Sequence, residues 1–446
     1  MKNFVLPIPA DFPGQLFIRK AIVEALKHEN ELSIPKEIIH LLPFLGPLHV
    51  SLNTRESIFL TFHPFFNHLY KIIFGKKKNL AAKPKPWRIN LLLYLAHAGW
   101  LIVKKYIITK FNISKDTSYI TFLDLLDNLI PSALDVYAYL FRENHLEEYV
   151  STVFRLWTAM RRFQRHNYDK IMLAFLSDFH YWKYIQHPII DTLKTHLNIF
   201  DEYAVENFHS LLRRYTNAKV NTAKSLKRDA TFLDHCRHEN KFVGLFEPKQ
   251  SYPYSKKDLD YLVKRTAIFL LDFFDNLWKN PGQLKIKKEG QKIQKTYFYF
   301  PGIETRFSFG ALPLGNHSDT PPNSHKLCDR VECQDVSWVD GQVLICGHGY
   351  HETCFHILGL RCPHCFFYLS KSIEELSKSY NQRLHTNEDV NDWWKSETQN
   401  SNEECDFDKT DNLPTYLELD VELNERILGN LKFEFIKNFK TIKGKL

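Results

Sequence analysis

The sequence predicts a predominantly α-helical α+β body followed by a small module of different make-up, and three observations carry that division. Of 446 residues, 44% are hydrophobic and 14% aromatic, which is ample for a large core. Apolar residues recur at helical spacing through most of the first 280 positions. Six of the eight cysteines, by contrast, crowd between positions 328 and 365.

Taken in order, the chain opens with an apolar run, Asn3 to Ile8, that suits a strand ending at the turn-like Asp11-Phe12-Pro13-Gly14-Gln15. A helix is expected from Gln15 to Lys27, with Ile18, Ile22, Ala25 and Leu26 on one face. Pro43 and the Gly46-Pro47 pair interrupt the next apolar run, ahead of a strand-like stretch around His49. Helical spacing resumes over 56–74, 87–110, 121–141, 145–165, 170–180 and 187–197, with Asp, Ser or Thr near several starts as caps. From Asp201 to Ala218 an amphipathic helix turns Tyr203, Phe208, Leu211 and Leu212 inward and leaves Glu206, His209, Arg213 and Arg214 on other faces.

Another apolar helix is expected over 258–278, then an alternating stretch that turns at Glu289-Gly290 as a β-hairpin. Breakers concentrate between Pro301 and His325, which sets the domain boundary there. The expected organisation is a body over 1–310, a linker over 311–325, the cysteine-rich module over 326–370, a helix over 371–385, an acidic linker over 386–412 and a terminal helix within 413–446.

Inside the module, cysteine and histidine fall at Cys328, Cys333, Cys346, His348, His351, Cys354, Cys362 and Cys365. Structural zinc takes four sulfur or imidazole ligands, and ligands two to four residues apart let one tight turn present both to one ion. Eight ligands make two such sites, so two zinc ions are the expected cofactor. A disulfide framework would need an oxidising compartment, and no apolar signal segment opens the chain. The same reading places the protein in the nucleus or cytoplasm.

The ligand order, with the core Cys-x-His-x-x-His-x-x-Cys followed by Cys-Pro-x-Cys, resembles the two-histidine variety of the RING finger. That resemblance implies interleaved ligands: Cys328, Cys333, His351 and Cys354 on one zinc, and Cys346, His348, Cys362 and Cys365 on the other, in a cross-brace. It also implies a shallow apolar groove for a ubiquitin-conjugating enzyme, with Val331, Ile357, Leu358 and Pro363 at or near the matching positions. Two departures stand out. The first ligand pair is Cys-x4-Cys where the family usually has Cys-x2-Cys, and Phe366 follows the last ligand where many of its ubiquitin ligases carry a cation.

Asp11-Phe12-Pro13-Gly14-Gln15, the stretch from Phe44 to Asn53, and Val205 to Arg214 together resemble fungal transposase-derived proteins. That resemblance covers about the first 220 residues and implies a truncated ribonuclease H-like remnant with a large helical insertion. In that family three carboxylates bind two metal ions for strand cleavage; Asp11 matches the second and Glu206 the third. The first belongs on a strand well upstream, and only ten residues precede Asp11, none acidic. The implied catalytic residues are therefore none, with Asp11 and Glu206 as vestiges and nuclease or transposase activity the third-ranked function, behind an interaction module and a ubiquitin ligase. Glu206 reads equally well as a surface carboxylate paired with Arg213 or Lys219. His49 and His209 read as core or surface residues, and Cys236 and Cys405 as lone thiols.

The formal charge of +8 hides an asymmetry: residues 1–310 carry 45 Lys+Arg against 29 Asp+Glu, a balance of +16, and residues 311–446 carry 14 against 22, a balance of −8. A basic body of this kind favours a polyanion, DNA or RNA, although a solvated lysine-rich surface carries the same charge. Lys76, Lys77, Lys78, Lys83 and Lys85 are the densest basic cluster. The longest apolar run, Ile89 to Val103, has 15 residues and holds His97 and Gly99. A membrane span needs roughly 18–20, so a buried helix and no membrane partner are expected.

Overall fold

The computed structural model describes residues 5–27, 34–162, 167–203, 254–279, 322–323 and 325–385, together with positions 206, 227–228, 231, 235, 285–286 and 295–296. The expected acidic linker and terminal helix lie outside these residues, as do most of the 201–218 helix, the Glu289-Gly290 turn, Cys236 and Cys405. Among the described residues the body is mostly helical.

Strand β1 (Leu6–Ala10) pairs in parallel with β2 (Leu41–Leu45), in the register Leu6 to Leu41 through Ala10 to Leu45. Helix α1 (Phe12–Lys27) connects them and begins earlier than the sequence suggests. The Asp11 side chain accepts the Gly14 N–H at 2.9 Å, so the expected turn is a helix start with Asp11 as its cap. The strand expected around His49 is instead helix α2 (Pro47–Thr61). Gly46-Pro47 breaks the preceding strand, but proline at the first helical position loses no bond and has its φ preset, so the same pair starts a helix. Helix α3 (His63–Phe74) follows after one residue and stops at Gly75, whose φ of +118° favours glycine.

Helix α4 (Pro86–Phe111) runs 26 residues, well past the 15-residue apolar run, and is long and apolar enough to cross a membrane by length and composition. Its buried face, from Ile89 through Ala96 and Trp100 to Ile107, packs against α10 (Lys256–Lys279). Gly99 sets how close the two come: a Cβ there would lie 2.9 Å from Thr266 Cγ2 and 3.0 Å from the Ala267 nitrogen. Helix α10 starts on a capping box in which the Asp258 N–H donates to Ser255 Oγ at 3.2 Å and the Ser255 N–H donates to Asp258 Oδ2 at 3.0 Å.

The helix expected over 121–141 divides into α5 (Thr117–Asp124), a wide π-type turn over Leu125–Leu129, α6 (Ile130–Asp135) and a second π-type turn over Val136–Phe141. Pro131 explains the first widening, since it offers no N–H and its ring crowds the carbonyl one turn back. Helices α7 (Leu146–Arg162), α8 (Tyr168–Tyr184) and α9 (Ile189–His196) complete the described body.

Two apolar cores result. One joins α3, α4, α5 and α10, where Phe65, Phe122, Phe269 and Phe273 form an aromatic cluster with centroids 4.5–6.0 Å apart. The other joins α1, β2, α7 and α8 around Phe44, Tyr149, Trp157 and Phe175. Lys285–Ile286 (β3) and Lys295–Thr296 (β4) pair antiparallel, as a hairpin requires. The cysteine-rich module carries hairpin β5 (Gly341–Val343) and β6 (Gly349–His351), helix α11 (Glu352–Ile357) and helix α12 (Pro363–His385). Helix α12 does not stop at the module: Leu376 and Tyr380 enter the second body core beside α1 and α8.

Candidate metal centre

The β5–β6 hairpin delivers ligands in both directions. Its connection turns sharply, with the Gly347 N–H donating to the Leu344 carbonyl and the Leu344 N–H to the His348 carbonyl, both at 2.8 Å. Gly347 takes φ +84°, which a side chain resists, and its neighbours Cys346 and His348 then point the same way. β6 ends at His351, and Cys354 follows on the first turn of α11. Cys362 immediately precedes α12, and Cys365 lies on its first turn, with Pro363 preset at the start.

The result is two four-residue groups. Cys328, Cys333, His351 and Cys354 bring one ligand atom each within 4.8 Å of one another, and so do Cys346, His348, Cys362 and Cys365. Each group can hold a zinc ion, giving two in all. Within the first, His351 Nδ1 lies 3.5 Å from Cys333 Sγ; within the second, His348 Nδ1 lies 3.6 Å from Cys365 Sγ. Zn–S of about 2.3 Å and Zn–N of about 2.0–2.1 Å at a tetrahedral angle give an S···N edge of roughly 3.6 Å, so the donors stand where a zinc tetrahedron places them. Both sets are three thiols and one imidazole, which closes the coordination sphere and leaves no position for substrate. This is the donor set of a structural site.

The donors compete for one another's protons. Hydrogen bonds from Cys346 and Cys365 hold the Cys362 thiol well below its usual range, while those with Cys346 and Cys362 push Cys365 well above it. Burial works against a charged His348, but hydrogen bonds to Cys346 and Cys362 prevail and raise it to about 10. Four such groups at contact distance share protons unequally, and a divalent cation relieves the conflict by deprotonating every thiol. Outer groups orient the donors. His351 Nε2 faces the Ser337 carbonyl at 3.1 Å, which fixes Nδ1 toward the sulfurs, and the Tyr350 hydroxyl lies 3.2 Å from Cys362 Sγ.

Several residues that organise the site carry no signal in the ligand spacing. Asp329, next to the first ligand, accepts the Gly349 N–H at 2.8 Å and the Asn323 N–H at 2.8 Å, and so ties the first loop to β6. It also accepts Lys115 Nζ at 2.7 Å, and Lys115 donates in turn to the Asn323 carbonyl at 2.9 Å. The two side chains are only 4% and 6% exposed, so a lysine of the body is buried in the module. His364, inside the Cys-Pro-x-Cys pair, is not a ligand but faces the Asp329 carbonyl through Nε2 at 3.1 Å.

Of the groove residues, Val331 and Ile357 stand exposed and Pro363 is half-buried. Leu358 packs onto the small core around Cys328, Tyr350 and Cys354. Leu360, Phe366 and Phe367 are exposed beside them, with the Arg361 guanidinium 4.7 Å above the Phe366 ring.

In the body, the parallel strand pair gathers carboxylates. Asp11 follows β1, and Glu206 lies 3.4 Å from His49 Nε2. Arg213 and Lys219, the alternative partners, lie outside the described residues. Glu202, which the sequence reading passed over, is buried between them and accepts backbone N–H bonds from Leu48 and His49 at the start of α2. Burial, then the charges of Asp11 and Glu206, push its carboxyl up to about 8 against those hydrogen bonds. Gly46 leaves it room, since a side chain there would overlap the Glu202 carboxylate. Among the described residues only the two cysteine–histidine groups have metal-binding geometry. No family model, curated protein or solved structure matches this chain, so its chemistry rests on its own residues.

Proposed function

We propose that this chain is a zinc-dependent interaction protein, in which a cross-braced, RING-like module is mounted on a helical body and presents an apolar face to a protein partner. The observation that carries the reading is the interleaving of the two ligand groups, which makes each ion depend on both halves of the module. Metal analysis of the full chain is expected to return two equivalents of zinc, falling below one in Cys362→Ser with Cys354→Ser. One equivalent or none in the unmodified chain defeats the cross-brace.

A second reading makes the partner a ubiquitin-conjugating enzyme, and the exposure of Val331 and Ile357 favours it. Such a module acts by positioning the enzyme and its thioester, with no covalent role for its own residues. Phe366 stands where a cation grips ubiquitin in the resembled ligases, so weak autoubiquitination that improves in Phe366→Arg is the expected result. Robust chain formation lost in Ile357→Ala at unchanged zinc content would place the ligase first. The body's transposase-like ancestry and nucleic-acid affinity complete the proposal, the latter tested by a steep salt dependence of retention on DNA.

A further inference from the structure

Helix α4 is apolar on the face it turns away from the body as well as on the face it buries. Along that outer face, Trp87, Leu91, Tyr94, Ala98, Leu101, Lys105 and Ile108 recur at steps of four and three. This is the heptad spacing of a helix that seats a second helix. Trp87, Tyr94, Leu101 and Ile108, one heptad apart, are 45%, 47%, 60% and 36% exposed, and between them Leu91 and Ala98 are half-buried at the edge of the stripe, where they also touch the body's own core. The stripe runs about 33 Å. A helix apolar all round is normally covered all round.

We propose that this face pairs with the same face of a second copy, as an antiparallel helix pair with its two-fold axis at Ala98. The seven positions are self-complementary about that point. Trp87 then meets Ile108 of the partner, Leu91 meets Lys105, Tyr94 meets Leu101, and Ala98 meets Ala98, so the small residue falls where the helices approach closest. Such an isologous contact closes on itself and stops at two chains.

Charge selects the direction. Helix α4 has no acidic residue and carries Lys104, Lys105 and Lys110 near its C-terminal end. Parallel pairing would set Lys105 against Lys105, whereas antiparallel pairing sends the two basic ends apart. Lys105 also argues against a bilayer as the occupant: it lies in line with the stripe, where lipid would bury its ammonium, whereas beside Leu91 its stem packs and its charge reaches water. Area agrees. The exposed side chains amount to roughly 450 Å² per copy, so two copies bury about 900 Å² before flanking residues are counted, just under the ~1,000 Å² of a specific interface and in the range of a weak dimer.

The test is the mass of the full-length, zinc-loaded protein by sedimentation equilibrium up to about 50 µM, beyond the micromolar dissociation constants that small interfaces reach. A dimer is expected, with Leu101→Glu and Tyr94→Glu each raising its dissociation constant about 30-fold or more, the loss of one hot-spot residue on each side. Both side chains are exposed in the single chain, so melting temperature and zinc content should hold. Lys105→Leu reads the register at an exposed position: facing Leu91 of the partner it lowers the dissociation constant, and an unchanged or raised constant overturns the pairing. A monomer throughout overturns the proposal, whether it floats with phosphatidylcholine–phosphatidylserine vesicles or is destabilised by Leu101→Glu through cover within its own chain. So does a dimer that Leu101→Glu leaves intact.

Discussion

The body and the module keep their backbones out of water by different means. Helices α3, α4, α5 and α10 bury whole faces against one another, with Trp100, Phe65, Phe122 and Phe274 fully enclosed. The module encloses Tyr350 and six of its eight ligands, with Cys333, Cys362, Leu344, Phe355 and Leu358 only partly covered. Burial at about 25 cal/mol per Å² suffices for the first and falls short for the second. Metal supplies the difference, on the order of 10 kcal/mol or more per structural zinc. Helix α12 belongs to both regimes: its first turn carries Cys365, and its later turns insert Leu376 and Tyr380 into the body.

Removing the metal should therefore break the comparison most sharply. A strong chelator is expected to abolish amide protection over 328–365 while leaving α4, α8 and α10 protected, with the loss along α12 confined to the turns before Leu376. Hydrogen exchange with and without chelator measures this directly. Uniform loss across body and module would mean that the two share one cooperative unit.

Next in size is the contact between them. Lys115 and Asp329 form a buried ion pair, and burial lowers the lysine's affinity for its proton while the Asp329 hydrogen bond and charge support it. Taking one charge from such a pair strands the other, at a cost of about 3–5 kcal/mol. Lys115→Met should destabilise the module by that amount and weaken zinc retention against a competing chelator. Lys115→Met with Asp329→Asn should recover part of the loss: no buried charge is left alone, but the amide keeps one acceptor oxygen where the carboxylate offered two to the Gly349 and Asn323 N–H groups. Equal loss in single and double variants would show that the contact matters through shape alone.

The two regions should also answer pH in opposite senses. Zinc ligands must be deprotonated, so the module weakens as pH falls. Glu202 works the other way. Its carboxyl is raised to about 8 in the fold from 4.5, so the folded state holds the extra proton between these values. Stability from this group is full below about pH 4.5 and declines as pH rises toward 8. Glu202→Gln keeps an acceptor for the Leu48 and His49 N–H groups and removes the buried charge. It should stabilise the body by on the order of 2–4 kcal/mol above pH 8 and little below pH 5, read as melting temperature against pH. A gain independent of pH would mean that the carboxylate is not the source.

Much of the module could be read from its sequence because ligand chemistry is local. Spacing divides eight residues into turns, and the turns at Gly347 and Pro363 follow from the properties of those residues alone. The partners that orient the ligands are not local: Lys115 lies more than two hundred positions from Asp329, and no pattern around either announces the pair. The same holds for Glu202, whose neighbours Asp11 and Gly46 come from distant strands. Helix positions in the body followed from periodicity, and the misreadings came at prolines. Pro47 starts a helix where a strand was expected, and Pro131 widens one read as continuous. Proline constrains φ and removes a donor, but whether that begins, bends or ends a helix depends on what the chain packs against.

The smallest expected effect on stability tests the module's outer face. Ile357 and Val331 are exposed and contribute nothing to either body core, so replacing them should change folding free energy by no more than about 0.5 kcal/mol. Ile357 stands at the end of α11, three residues after the ligand Cys354, so zinc fixes its position although it touches no metal. A backbone held this way has no loop ordering to undergo on binding, which lowers the cost of a contact made there. Ile357→Ala should then leave zinc content, melting temperature and the exchange pattern unchanged while weakening the partner's hold by about tenfold or more, the loss of an apolar anchor. Binding measured against immobilised ubiquitin-conjugating enzymes reads this. Unaltered binding in both Ile357→Ala and Val331→Ala, at intact zinc content, would move the interaction surface to the exposed Phe366 and Phe367 on α12, where Phe367→Ala is the next variant to measure.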